Sequence, residues 1–281
     1  MRVNEIKEKL QNTSIVDKYI YVNVAVFVVV LTINALKFLQ SGNSNFVVSY
    51  FALSVDSSEY LYKPYTFITY GFVHFGFIHL IFNLIALHYL GNLFINFFSE
   101  RKFIIYYLLG NVFGGLFFVL SYNYFPVFKN TNGVLVGASA AISAILVGLA
   151  TYMPNYEINL RLIGYVKLWI ITAIFIFLSV VLIPNGNAGG QLAHLGGAFI
   201  GFVLTRYFYR EQKQERKSKT RSNLKTVYTS KEKSEDFGLS NHQKKIIQQR
   251  KIDTLLDKIS KSGYESLTEK ERNFLASASK K

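Results

Sequence analysis

Cysteine is absent from the 281 residues, which excludes disulfides, a thiol nucleophile and thiolate metal ligands. Acidic residues are few, 17 against 31 Lys and Arg, and their positions exclude more than their number does. Ahead of Tyr209 they are Glu5, Glu8, Asp17, Asp56, Glu59, Glu100 and Glu157, all outside the long apolar blocks. A buried Ser-His-Asp triad therefore lacks its carboxylate. A zinc peptidase would want His-Glu-x-x-His and an aspartyl peptidase two aspartates inside apolar spans, and neither pattern is present. No small-residue cleavage site follows the first apolar block, which therefore reads as a retained anchor.

What fills the chain instead is hydrocarbon. Six apolar blocks run from Tyr19 to Leu39, Phe75 to Phe98, Phe103 to Phe125, Ser139 to Met153, Tyr165 to Ile183 and Gly190 to Tyr209. About 20 apolar residues at a rise of roughly 1.5 Å cross a hydrocarbon layer of about 30 Å, so the expected fold class is an all-α polytopic membrane protein with the lipid bilayer as its solvent. The fourth block is too short for this before Pro154 ends it. The chain ahead of it must dip inward, and non-helical backbone at that depth is tolerated only against protein or water. Val134 to Ala138 is thus expected to line a wet cavity.

Charge orients the spans. Of the 31 basic residues, 19 follow Tyr209, against 10 of the 17 acidic ones, so most of the net +14 sits in the tail. Arg2, Lys7, Lys9 and Lys18 precede the first block, Arg101 and Lys102 follow the second, and Arg161 and Lys167 lie between the fourth and fifth. The positive-inside rule then makes both termini cytoplasmic, with Tyr165 and Trp169 at the inner rim. The basic tail's expected neighbour is the anionic membrane face, not nucleic acid.

With six crossings and both ends inside, blocks two, four and six run from outside to inside. Their beginnings share one depth and carry His79 and Asn83, Ser139, and His194. A hydroxyl and an imidazole at one level form a nucleophile and base for acyl transfer. His79 and Asn83, one helical turn apart, are oxyanion donors, joined by the Ser139 backbone N–H at a helix start. Gly197-x-x-x-Gly201 and the run Ala140, Ala141, Ser143, Ala144 give two low faces on which helices can close; Gly110-x-x-x-Gly114 reads as packing. Each residue has a plainer reading: a back-bonded serine, a packed histidine, an interhelical His–Asn pair.

His74-Phe-Gly-Phe-Ile-His79-Leu-Ile-Phe-Asn83, Gly137-Ala138-Ser139 and Ala193-His194-x-x-Gly197-x-x-x-Gly201 resemble the rhomboid intramembrane serine proteases in order and spacing, over roughly Tyr60 to Tyr209. The resemblance implies a six-transmembrane-helix bundle with Ser139 as nucleophile, His194 as base, and His79 and Asn83 at the oxyanion. It also implies cleavage of membrane-protein substrates within or beside a transmembrane helix near the outer face, with no cofactor or metal. The chain departs from the family pattern in three places: Ala140 where glycine often follows the nucleophile, Ser143 where an aromatic often supports the imidazole, and Tyr65-Thr66 where a Trp-Arg or Trp-Gln pair is often seen in the first loop. Rival readings are a catalytically inactive rhomboid-like binder or chaperone of transmembrane helices, and a transporter, against which the polar groups gather at one end.

Four segments are expected: a cytoplasmic start at 1–18, the membrane domain at 19–209, a basic flexible linker at 210–241, and a small cytoplasmic helical hairpin at 242–281. In the hairpin Ile246, Ile247, Ile252, Leu255, Leu256 and Ile259 recur at helical spacing, Gly263 ends the run, and Thr268 with Glu271 forms a capping box. It resembles the hairpin appended to some bacterial rhomboids and is a site for a cytoplasmic partner or a self-packed stub. His74 reads as a loop-fixing residue, and His88 as structural. The aromatic stretch from Gln40 to Val73 suits the lipid boundary, and Pro184 to Gly190 reads as a lid or plain turn. The compact plan points to a bacterial plasma membrane.

Overall fold

The computed structural model describes residues 13–42, 46–129, 131–160, 164–226, 249, 252–260 and 263–278. Among the described residues six helices run through the membrane unit: α1 (Ile15–Ser41), α5 (Phe77–Phe97), α6 (Glu100–Tyr124), α7 (Ser139–Tyr152), α8 (Leu168–Val181) and α9 (Ala188–Thr226), the last apolar over Ala188–Arg210. Between α1 and α5 lie three short helices, α2 (Phe46–Phe51), α3 (Ser57–Tyr62) and α4 (Thr66–Thr69), and a 3₁₀ turn at Tyr70–Phe72. Four helices, Ile15–Gln40, Phe77–Phe97, Glu100–Tyr124 and Ala188–Arg210, are long and apolar enough to cross a membrane. The other two, α7 and α8, have 14 residues each, or about 21 Å.

The short α7 is the centre of the unit. Ten of its 14 residues are buried, so it is covered on every side, as a helix apolar all round must be. Outward faces are apolar too: Val28 and Val29 on α1, Phe82 and Tyr89 on α5, and Ile174 and Phe177 on α8 are about half exposed or more. Exposed apolar surface on this scale would aggregate in water, whereas lipid solvates it.

Local sequence explains the helix ends. Ser14 caps α1 through the Asp17 N–H at 3.1 Å, and Ser99 accepts from the Lys102 N–H to start α6. Helix α8 has no such side chain. Its first N–H groups donate instead to the Tyr156 and Pro154 carbonyls at 2.8 and 3.1 Å, for Leu168 and Trp169. This corrects the expected fifth block: Tyr165 belongs to strand β4 (Gly164–Lys167), which pairs antiparallel with β3 (Glu157–Leu160), Glu157 opposite Lys167. Alternate exposure along both strands fits a hairpin with one face turned outward.

A second strand pair lies at the Ser139 end of α7. β1 (Leu53–Ser54) pairs antiparallel with β2 (Val134–Leu135), Leu53 opposite Leu135, so the backbone that enters α7 is satisfied by protein. Helix α9 continues to Thr226, past the start at Arg210 expected for a linker, while 227–241, His242, Ile246 and Ile247 lie outside the described residues.

The tail is a separate compact unit from Lys219. A helix at 252–260 ends where the Gly263 N–H closes on the Ile259 carbonyl at 2.8 Å with φ +76, a left-handed turn that favours glycine. Before the next helix, Glu269–Ala278, the Glu271 carboxylate accepts from the Thr268 N–H at 2.8 Å and from Lys258 at 2.9 Å. Those hydrogen bonds hold the Glu271 carboxyl down at about 2.

Candidate active site

Ser139 opens α7, and its position follows from the turn before it. Gly137 has φ +113, and a Cβ there would stand 2.7 Å from the His79 Cε1, so glycine is required by conformation and by space together. The Gly137 N–H donates to the Tyr70 carbonyl at 2.9 Å. The next N–H, of Ala138, points at His74 Nε2 at 3.5 Å. Buried at 3 % exposure, His74 stands edge-on to His79 with ring centroids 5.1 Å apart. Burial, and after it the His79 ring, push the His74 imidazole down to about 4, so it is neutral at pH 7 and can accept.

His194 arrives on α9, whose start is capped by Asn187: its Oδ1 accepts from the Gly190 N–H at 3.2 Å. Glycine again sets the approach. A Cβ on Gly197 would overlap the Ala140 carbonyl oxygen and one on Gly201 the Ala144 carbonyl oxygen, so α9 rests directly on the backbone of α7. From the other side Gly110 meets Ala141 and Ala144, and Gly114 meets Ala140. The Gly110-x-x-x-Gly114 face is packing, applied to the turn of α7 that follows Ser139.

His79 and Asn83 face inward from α5. The Asn83 amide donates one N–H to the His79 carbonyl at 2.8 Å, a bond that fixes its rotamer and leaves the second N–H available. All four residues, Ser139, His194, His79 and Asn83, line one cavity of about 440 Å³. Its remaining walls include Val134, Leu135 and Val136 from β2 and the turn into α7, Phe75, Phe82, Phe175 and Asn187.

One expected contact is different. Among the described residues no hydrogen bond joins Ser139 to His194; the imidazole Nδ1 lies 3.4 Å from the Ser179 hydroxyl instead. Ser139 and His194 both line the same cavity. His88 stands outside the site, exposed on α5, with Nδ1 3.8 Å from Asp17. Sequence reasoning missed Phe175, Ser179 and Asn187. Only Asn187 carried a local signal, that of a helix cap three residues before its partner N–H.

A family model described as the Rhomboid domain matches residues 62–211, more than half of the chain. The chain belongs to the rhomboid family. Residues 241–281 match a family of unknown function, DUF6576, and no curated protein matches the chain. The rhomboid domain and the apolar helices make this an integral membrane protein of an intramembrane-protease-like family. Within this rhomboid, Ser143 is taken up by a bond to the Ser139 carbonyl at 2.7 Å, and the ring against the His194 imidazole is Phe175 on α8, with centroids 5.3 Å apart.

Proposed function

We propose that this rhomboid is an intramembrane serine endopeptidase that cuts transmembrane-helix substrates near the outer face. Ser139 is the nucleophile and His194 the base. The observation that carries the reading is the convergence of Ser139, His194, His79 and Asn83 on one cavity, from three helices of which α9 rests on α7 through glycine.

In the first step the Ser139 oxygen bonds the scissile carbonyl carbon while its proton passes to His194, and the carbonyl π pair moves to oxygen. The developing oxyanion is met by the free Asn83 N–H, by His79 and by the Ser139 N–H at the positive end of α7. His194 then returns its proton to the leaving amine as the C–N bond breaks, and water repeats the sequence on the acyl-enzyme. The family's inactive members make a helix-binding, non-hydrolytic role the competing outcome.

Six crossings with both termini cytoplasmic, in a bacterial plasma membrane, are part of the same proposal. Under it α5, α7 and α9 all run from outside to inside, which puts the cavity under the outer leaflet. The test is covalent labelling in membranes by a fluorophosphonate, together with cleavage of a reconstituted transmembrane reporter. Wild type is labelled and cuts the reporter, and Ser139→Ala does neither. Labelling retained in Ser139→Ala refutes the nucleophile, and a wild type that binds the reporter without label or cleavage refutes the protease.

A further inference from the structure

A serine in an apolar helix ordinarily turns its hydroxyl back to the carbonyl one turn earlier. Five hydroxyls of the membrane unit do so: Thr32 to Val28 at 2.8 Å, Thr172 to Leu168 at 2.9 Å, Thr151 to Val147 at 2.7 Å, Ser143 to Ser139 at 2.7 Å and Thr205 to Gly201 at 2.9 Å. Ser179 does not. It is 2 % exposed, and among the described residues its one hydrogen bond runs across to His194 Nδ1 at 3.4 Å. One turn before it on the same face of α8, Phe175 lies against the flat of the same imidazole, tilted by 37°. The ring is therefore held at an edge and on a face by two residues of one helix, and no carboxylate among the described residues pairs with it.

We propose that Ser179 is a positioning residue that selects the His194 tautomer: the Ser179 oxygen accepts the Nδ1–H and leaves the bare Nε2 for Ser139. This rests on the protease reading of the cavity and adds to it the group that orients the base.

The chemistry suits a neutral acceptor. A base must present an unprotonated nitrogen to the nucleophile, and the hydrogen bond at the other nitrogen decides which one that is. When Nε2 takes the Ser139 proton, both ring nitrogens carry hydrogen, and the Ser179 oxygen accepts from Nδ1 before and after. The proton leaves from Nε2 to the amine, so Ser179 neither gains nor loses one. At 3.4 Å the bond is long, and it tightens when the ring becomes cationic, because charge-assisted hydrogen bonds are shorter. The acceptor thus favours the imidazolium that forms during attack. Phe175 blocks ring rotation, the work assigned in the family pattern to an aromatic at the position Ser143 occupies.

The experiment uses the full chain in lipid bicelles with ¹⁵N-labelled histidine, His194 being assigned by the signals lost in His194→Gln. In wild type Nδ1 carries the proton and Nε2 does not. In Ser179→Ala the Nε2–H tautomer appears and the fluorophosphonate labelling rate falls about 3- to 10-fold, the range for losing one neutral hydrogen bond, at an unchanged melting temperature. Ser179→Thr, which keeps the oxygen, restores tautomer and rate.

A wild-type tautomer in Ser179→Ala overturns the proposal, as does a rate loss that Ser179→Thr fails to recover. If wild type takes no label, the protease reading fails by itself, and the nitrogen signals still decide whether Ser179 sets the tautomer.

Discussion

Gly197 lies against the carbonyl of Ala140 so closely that any Cβ would overlap the oxygen. The contact sits one residue past the hydroxyl on α7 and three past the imidazole on α9, so it fixes the distance between them. Gly197→Ala must therefore push α9 away from α7. A displacement on the scale of 1 Å at a reacting pair costs on the order of 10² in rate, and overpacking costs about 1–3 kcal/mol of stability. Fluorophosphonate labelling should drop by about that factor, and the melting temperature should fall. Gly76→Ala is the control, since φ is −160 there and nothing lies within 4 Å. Equal behaviour of the two variants would show that the close approach does not set the site.

Gly137→Ala should fail for a different reason. With φ at +113 the backbone is in a region that side chains with a Cβ rarely adopt, which costs about 1–3 kcal/mol, and the new methyl meets the His79 ring at 2.7–2.8 Å. The turn into Ser139 and the His79 side chain then cannot both keep their places. Labelling is expected to be lost on the order of 10²-fold while the helical circular dichroism is kept. Wild-type labelling in this variant would mean that the turn relaxes without involving the site.

How much of this was legible beforehand depends on whether the cause is local. The helices α1, α5, α6 and α9 come from long apolar runs, and the short α7 was readable from Pro154, whereas the fifth block reads as a full span from Tyr165 to Ile183 and α8 is only Leu168–Val181. Ser139, His194, His79 and Asn83 were singled out from an expected helix direction that gives them one depth, and they line one cavity. The hairpin of β3 and β4 was missed: Tyr165 and Val166 are as apolar as a span, and only pairing with Glu157–Leu160 makes them a strand. The early stop at Arg210 failed because the charged run that follows is itself helix-forming, and α9 carries on through it to Thr226. Phe175 and Ser179 were invisible for a tertiary reason. On α8 nothing in the sequence distinguishes Phe175, turned to His194, from Phe177, which is 64 % exposed.

Asn83 should act on the chemical step and not on binding. Its first amide N–H is committed to the His79 carbonyl, so the side chain is already held in place before substrate arrives and only the second N–H is left for the oxyanion. Removing one such donor costs roughly 10²–10³ in kcat. Asn83→Ala is accordingly expected to lower kcat by about 10² with KM nearly unchanged, in single-turnover cleavage of a reconstituted helix. A rise in KM at constant kcat would assign Asn83 to substrate binding.

His74 should make the fold lose stability in mild acid. Its folded value, near 4, is depressed from 6.5 by burial, so between these values the unfolded chain holds a proton that the folded chain refuses. Stability from this group is fully present above pH 6.5, falls as pH drops toward 4, and levels off below it, with a total of roughly 3 kcal/mol. Protonation would also take away the Nε2 lone pair that faces the Ala138 N–H, at the turn next to Ser139. His74→Gln removes the titration and keeps an acceptor. In thermal melts from pH 7 to pH 4 the wild type should lose stability, and the difference between wild type and His74→Gln should track one proton. Parallel curves for the two would place the acid sensitivity elsewhere, because a group that does not titrate in this window cannot bend one curve away from the other.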